Sequence, residues 1–132
     1  MKTGNITQTA TFDATAQEVY EALIEAKNHA AFTGANAKID NKLNGKFSVY
    51  DGYCHGYNIE LVPNQKIVQA WHFEEDGWPD DHFSICTFTL EETDNKTKLT
   101  FTQTEVPLHK VAALTGGWQE YYWEPLAEFL KR

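Results

Sequence analysis

GGWQEYYWEPLAEFLKR, residues 116–132, predicts a long helix with one aromatic face. Large apolar side chains recur at steps of three or four from Trp118 to Phe129, which places them in one stripe along a helix. Thr115 is positioned to cap the first turn, and Pro125, which lacks an amide donor, predicts a kink. About sixteen helical residues extend roughly 24 Å. A helix of this length can cross a whole small sheet.

Upstream of this helix the sequence predicts mostly strands, because apolar and polar residues alternate there. The predicted strands cover residues 4–13, 35–41, 46–50, 53–62, 66–75, 82–92 and 96–106. After the first strand, Thr15 and Glu18 have the spacing of a capping box that opens a helix over residues 16–26. A second, shorter helix is predicted over residues 28–34.

Short turns connect most of the predicted strands. Asp51-Gly52 suits a two-residue hairpin turn, and Pro63 occupies the position that a type I turn favours. Since short connections join neighbouring antiparallel strands, the strands form a meander. The predicted fold class is α+β: a seven-stranded antiparallel sheet wrapped around a long C-terminal helix, with two short helices after strand one.

One face of the predicted sheet is apolar. Threonines alternate with its apolar residues in the last two strands and suit a solvated outer face. The apolar set assigned to the inner face is Tyr57, Ile59, Leu61, Trp71, Phe73, Phe88, Leu90, Leu99 and Phe101. The aromatic stripe of the C-terminal helix is the expected cover for this face, and incomplete wrapping would leave a cavity between the two.

Composition limits the classes of function. At 132 residues, with 42% hydrophobic residues, the chain fits one folded domain over residues 1–132. A net charge of −8 disfavours nucleic acids and anionic membranes as partners. Cys54 and Cys86 lack the spacing of a zinc or disulfide framework, and no apolar run approaches the roughly eighteen residues of a membrane span. We expect a cytoplasmic protein.

Local motifs then resemble a known family. They are Phe32-Thr33, Gly45-Lys46-Phe47, Asp51-Gly52 with Gly56, Leu61-Val62-Pro63, Ile67-Val68 with Trp71, His82-Phe83, Thr97-Lys98-Leu99, Val106-Pro107 and residues 117–122, GWQEYY. In this order they resemble the C-terminal domain of the activators of the 90-kDa heat-shock protein ATPase and their single-domain bacterial homologues. That branch belongs to the birch-pollen-allergen and START-like superfamily, so the resemblance implies its helix-grip fold.

Two departures bear on function. The family's eukaryotic co-chaperones carry a separate N-terminal domain, whose tryptophan- and asparagine-rich signature is absent from these 132 residues. Asn44 stands where the family usually has a glycine before Gly45. The resemblance therefore implies a small-ligand cavity as the leading function and a heat-shock chaperone as an alternative partner.

The candidate ligand site is the inner face of the sheet opposite the C-terminal helix. Its predicted apolar walls are Trp71, Phe88, Phe101, Trp118 and Tyr122. Its predicted polar anchors are Gln69, Gln103 and Glu105, because buried polar side chains need partners and a small-molecule site is an apolar pocket with a few polar groups. The alternative is that Gln103 and Glu105 lie near a strand end and reach water.

Signals for catalysis, metals and cofactors are weak. None of the five histidines forms a helical i, i+4 pair, so we expect no metal and no cofactor, although a cluster across strands is conceivable. A cyclase- or hydrolase-like enzyme using Glu105 or His55 is the third hypothesis.

Trp78, among acidic residues at a hairpin tip, either contacts a ligand or partner or folds back onto the sheet.

Overall fold

Seven strands form one antiparallel sheet in the computed structural model, which describes residues 1–131. The strands are β1 (Thr3–Phe12), β2 (Lys38–Ile39), β3 (Lys46–Val49), β4 (Cys54–Val62), β5 (Lys66–Phe73), β6 (Ser84–Thr93) and β7 (Lys96–Pro107). Their order across the sheet is β1-β7-β6-β5-β4-β3-β2, so the first strand pairs with the last. The predicted fold class is confirmed, although β2 has only two residues.

Two short helices follow β1, as predicted. The Thr15 side chain accepts a hydrogen bond from the Glu18 amide at 3.2 Å, and the Glu18 carboxylate accepts one from the Thr15 amide at 3.0 Å. This capping box starts α1 (Ala16–Ile24), and α2 (Ala26–Thr33) follows it. Gly34 ends α2 with φ 76°, a left-handed conformation that glycine adopts readily.

The C-terminal helix begins earlier than the sequence predicted. It runs over residues 108–129 as a 3₁₀ turn (Leu108–Lys110), α3 (Val111–Trp118), a π-helical segment (Gln119–Trp123) and α4 (Glu124–Phe129). Thr115 is therefore not a cap, and its hydroxyl donates to the Val111 carbonyl at 2.8 Å inside α3. Arg132, which the prediction included in the helix, lies outside the described residues.

Next to Pro125 the helix contains a π-helical segment, which the sequence did not predict. Proline has no N–H, so the carbonyl of Tyr121, four residues earlier, does not receive the usual helical hydrogen bond. The Tyr50 hydroxyl donates to this carbonyl instead. The extra residue in a π turn changes which side chains face the sheet, and Trp123 is buried here.

The core lies between the inner face of the sheet and the C-terminal helix. Phe88 and Phe101 are fully buried, and the Phe101 ring centroid lies 4.4 Å from that of Trp118. Trp118 also stacks on Trp123 at 5.6 Å. Gln8 ties β1 to this helix, since its side chain accepts from Trp123 Nε1 at 2.7 Å and donates to the helix backbone.

The predicted inner face of β4 is wrong for Tyr57 and Ile59, whereas Leu61 is half-buried and packs against the core as predicted. Tyr57 and Ile59 are 40% and 38% exposed on the outer face, whereas Asn58 is fully buried. The register shift in this strand lies between Asn58 and Glu60, after the tyrosine. An inward asparagine between two apolar residues inverts the face that hydrophobic alternation suggests.

Candidate functional site

A cleft of about 380 Å³ opens between the C-terminal helix and the end of the sheet that carries β3, β4 and β5. The sheet side supplies Trp71 and Phe73 from β5 and Cys54 from β4. The helix supplies Ala113, Leu114, Gly117, Trp118, Tyr121 and Tyr122. Three of the predicted apolar walls, Trp71, Trp118 and Tyr122, therefore meet in one cleft.

Two tyrosines from the β3–β4 connection form the remaining wall. Val49 and Cys54 are paired in the sheet, so the connection has four residues and the predicted two-residue turn at Asp51-Gly52 is wrong. Tyr50 and Asp51 both have positive φ, which turns the chain tightly. Tyr50 reaches the helix backbone from this turn, as described above, and Tyr53 reaches Glu75.

Glu75 places a charged group at the cleft. Its carboxylate accepts a hydrogen bond from the Tyr53 hydroxyl and forms an ion pair with Lys110 at 3.2 Å. The Lys110 ammonium also donates to the Asp76 carbonyl at 2.5 Å. Burial, followed by the hydrogen bond to Glu75, raises the pKa of the Tyr53 hydroxyl, which therefore stays protonated at neutral pH.

Gln69 lies behind the cleft wall and supports one of its tryptophans. Its side-chain oxygen accepts from Trp71 Nε1 at 2.8 Å, and its amide donates to Asn58 at 2.9 Å. Asn58 in turn donates to the carbonyls of Asp40 and Lys42 at 2.9 and 3.0 Å. Gln69 thus fixes the orientation of the Trp71 ring and is not among the residues that line the cleft.

Gln103 fixes the orientation of the second cleft tryptophan, Trp118, in the same way. Its side-chain oxygen accepts from Trp118 Nε1 at 2.7 Å, and its amide donates to Ser84 Oγ at 2.9 Å. The Ser84 hydroxyl donates to the Trp71 carbonyl at 3.2 Å. Gln103 is fully buried, so the alternative that it reaches water at a strand end is excluded.

The other predicted site residues lie away from the cleft. Phe88 and Phe101 are packed inside the core and do not line it. Glu105 is exposed with φ 60°, so the prediction that its side chain faces the cavity is wrong. The left-handed residue interrupts the alternation of β7, and its carbonyl pairs with His82 Nε2 at 2.6 Å.

His29 extends the site behind the helix. Its Nε2 and the Tyr122 hydroxyl are hydrogen-bonded at 2.9 Å, and its ring packs against Phe32 at 4.8 Å. Within residues 1–131, its Nδ1 has no hydrogen-bond partner. Burial lowers the pKa of His29 to about 4, so this histidine is neutral at pH 7.

The titratable groups of the cleft favour binding over covalent chemistry. Burial, followed by the charge of Glu75, raises the pKa of the Cys54 thiol, so it is not a thiolate at neutral pH. Burial also raises the pKa of the Tyr122 hydroxyl. These groups can therefore donate hydrogen bonds but are not activated nucleophiles.

The sequence predictions missed Tyr50, Tyr53, Glu75 and the first part of the helix wall. The available signal was Pro125, which leaves a helix carbonyl in need of a donor from elsewhere.

Trp78 folds back onto the sheet, one of the two alternatives considered: it is 5% exposed and packs on Phe73 at 4.8 Å. None of the helices in the described part of the chain is long and apolar enough to cross a membrane.

Comparison with known sequences identifies a family and two relatives to which this chain is similar. The family model for activator of Hsp90 ATPase homolog 1-like protein matches residues 13–131. The human activator of 90 kDa heat shock protein ATPase homolog 1 is 32% identical over 126 residues, which cover 96% of this chain and 37% of the human protein. An uncharacterized protein of Schizosaccharomyces pombe has the same identity and coverage. The chain thus spans little more than a third of these relatives.

Solved structures share the fold. An HSP90 activator from Plasmodium falciparum superposes with a TM-score of 0.80 and is 23% identical. The superposition covers 91% of this chain and 90% of the other. At this identity the similarity demonstrates the common helix-grip fold alone.

Proposed function

The chain belongs to the family of activator of Hsp90 ATPase homolog 1-like proteins, and from its cleft we propose that it is a binding domain for a small, largely apolar molecule. The observation that carries this proposal is the cleft of about 380 Å³ between helix and sheet. That volume lies within the roughly 300–1,000 Å³ typical of ligand pockets.

The chemistry of the walls narrows the ligand class. Trp71, Trp118 and Tyr122 offer ring faces and edges, which favour an aromatic ligand. Both indole N–H groups already donate to buried glutamines, so they are not available to a ligand. The Glu75 carboxylate at the cleft is a hydrogen-bond acceptor whose charge is balanced by Lys110 at 3.2 Å, which favours a neutral ligand with a donor group. We therefore expect a neutral aromatic compound with one hydroxyl or amine donor.

Two adjacent glycines provide a matched test. Gly117 lines the cleft and Gly116 is exposed, and apart from its chain neighbours and the adjacent helix backbone a Cβ at either position would have no heavy atom of the described residues within 4 Å. Gly117→Leu should fill the cleft, whereas Gly116→Leu should not. Both changes replace glycine in a helix by a better helix former, so neither should lower the melting temperature.

The measurement is an amide NMR titration of the full chain with 2-naphthol and with indole. Wild type and Gly116→Leu should show saturable shifts at Trp71, Trp118 and Tyr122, and Gly117→Leu should lose at least about nine-tenths of the affinity, or roughly 1.4 kcal/mol. No saturable shift in wild type with either probe, or equal binding by both leucine variants, would contradict the proposal.

A chaperone partner is the second candidate function. It is supported by the 32% identity to the human activator of 90 kDa heat shock protein ATPase homolog 1. Because Trp78 is buried, it does not offer the exposed partner contact that was one of its two alternatives, and the exposed Tyr57 and Ile59 on β4 are better candidates. The test is the ATPase rate of the 90-kDa chaperone with this protein at equimolar concentration. An unchanged rate, together with no co-elution, would remove this candidate.

A further inference from the structure

Three potential metal ligands meet on the outer face of the sheet, on the side opposite the cleft. His55 of β4 and His72 of β5 are direct partners across the two strands. Glu74 lies two residues beyond His72, and its amide donates to the Tyr53 carbonyl at 2.8 Å, which continues the strand pairing. Since residues i and i+2 of an extended chain share a face, the three side chains converge.

The distances within this cluster are short. Glu74 Oε1 lies 2.8 Å from His55 Nε2 and 3.3 Å from His72 Nε2. One candidate ligand atom from each residue lies within 4.8 Å of the other two. Ligand atoms around a tetrahedral zinc ion, at 2.0–2.1 Å from the metal, are about 3.3 Å apart. Small rotations of the half-exposed His55 and Glu74 side chains would reach that geometry.

The tautomer of His72 strengthens the case for a cation. Its Nδ1 lies 2.9 Å from the His82 carbonyl, which can only accept, so Nδ1 carries a proton. In the neutral ring, Nε2 then presents a lone pair toward the Glu74 carboxylate. A metal cation placed between these two acceptors would be attracted to both of them.

The surroundings of His72 match those of a metal-binding histidine. An Nδ1–H bonded to a backbone carbonyl is the usual outer-shell contact of such a ligand, because it fixes the ring and directs Nε2 to the metal. The carbonyl of His82 is itself held by Trp78 Nε1 at 2.9 Å. Phe83 covers one side, with its ring centroid 5.7 Å from that of His72, while Glu74 remains open to solvent.

We propose that His55, His72 and Glu74 form a binding site for one divalent transition-metal ion of the zinc class. Two imidazoles with one carboxylate suit zinc, cobalt or nickel, whereas calcium and magnesium prefer sites made of oxygen atoms. Three protein ligands leave at least one position for water. His72 and Glu74 alternate along the chain with Trp71 and Phe73, which line the cleft, but the site does not depend on ligand binding there.

The test is calorimetric titration of the full chain with Zn²⁺ at pH 7.5, supported by the Co²⁺ absorption spectrum. Wild type should bind one equivalent. His55→Ala and Glu74→Gln should each weaken binding at least about tenfold. Both positions are partly or largely exposed, so these variants should fold. His109→Gln is the matched control, because His109 is an exposed histidine outside the cluster.

Nitrogen NMR of the histidine rings provides the decisive readout. Zn²⁺ should shift the Nε2 resonances of His55 and His72 and leave that of His109 in place. If wild type binds no Zn²⁺ at millimolar concentration, the proposal is wrong. It is equally wrong if His55→Ala binds as wild type does, or if His109→Gln loses as much affinity.

Discussion

His29, a single buried side chain next to the cleft, makes the stability of the folded protein depend on pH. It contacts the cleft residue Tyr122, and its Nδ1 has no partner within residues 1–131 to stabilise a second proton. Burial lowers its pKa from 6.5 to about 4 in the folded protein. The unfolded chain therefore binds more protons between these two values, and folding is favoured by the neutral ring.

We expect acid to destabilise the protein through His29. The stabilisation is complete above pH 6.5 and is lost as the pH falls toward 4, because the unfolded state gains the proton first. A shift of this size corresponds to about 3 kcal/mol in total, of which about 2 kcal/mol is lost by pH 5. Urea unfolding at pH 7.5, 6.5, 5.5 and 5.0 should show this slope in wild type.

His29→Gln is the control, since glutamine can still bond to the Tyr122 hydroxyl but does not titrate. The quantity to compare is the change in the free energy of unfolding between pH 7.5 and 5.0. This change should be much smaller in the variant than in wild type. Equal slopes in the two proteins would show that His29 is not the group responsible.

At the scale of the elements, hydrogen bonds between residues close in the sequence were predictable, and hydrogen bonds between distant residues were not. The capping box at Thr15 and Glu18 formed as expected, because both partners lie three residues apart. The outward placement of Tyr57 and Ile59 was not predictable, since Asn58 is tolerated inside only by its bonds to Gln69 and two distant carbonyls. Glutamines were correctly placed inside, but their pairing with tryptophan N–H groups made them supports of the site instead of anchors.

The Tyr50–Pro125 relationship yields a prediction for the C-terminal helix. Tyr50→Phe removes the donor to the Tyr121 carbonyl and should destabilise the fold by about 1 kcal/mol. In a Pro125→Ala background the new amide at position 125 can donate to that carbonyl, so the same change should cost less. Urea denaturation of the two single variants and the double variant measures this coupling.

Tyr53→Phe is the control for that cycle. Its hydroxyl donates to the Glu75 side chain, whereas that of Tyr50 donates to the helix backbone. Its cost should be the same with proline or alanine at position 125. If Tyr50→Phe were also equally costly in both backgrounds, the π-helical segment would need another explanation.

At the scale of the whole molecule, the sheet has a strong end and a weak end. β7 has twelve residues and lies between β1 and β6, which have ten each. At the other end, β2 has two residues and pairs only with the four-residue β3. The cleft lies toward this weaker end, because Tyr50 and Tyr53 belong to the connection that follows β3.

This asymmetry predicts how the cleft opens. Native-state amide exchange should be slowest in β6 and β7 and fastest in β2, β3 and residues 50–53, because short edge strands open without unfolding the rest. Exchange measured by NMR at increasing, sub-denaturing urea should show β6 and β7 opening only with global unfolding. The β2–β3 end should open at a lower free energy that hardly depends on urea. Uniform protection across all seven strands would instead mean that the cleft opens only when the whole protein unfolds, and a ligand would then have to enter through the existing mouth.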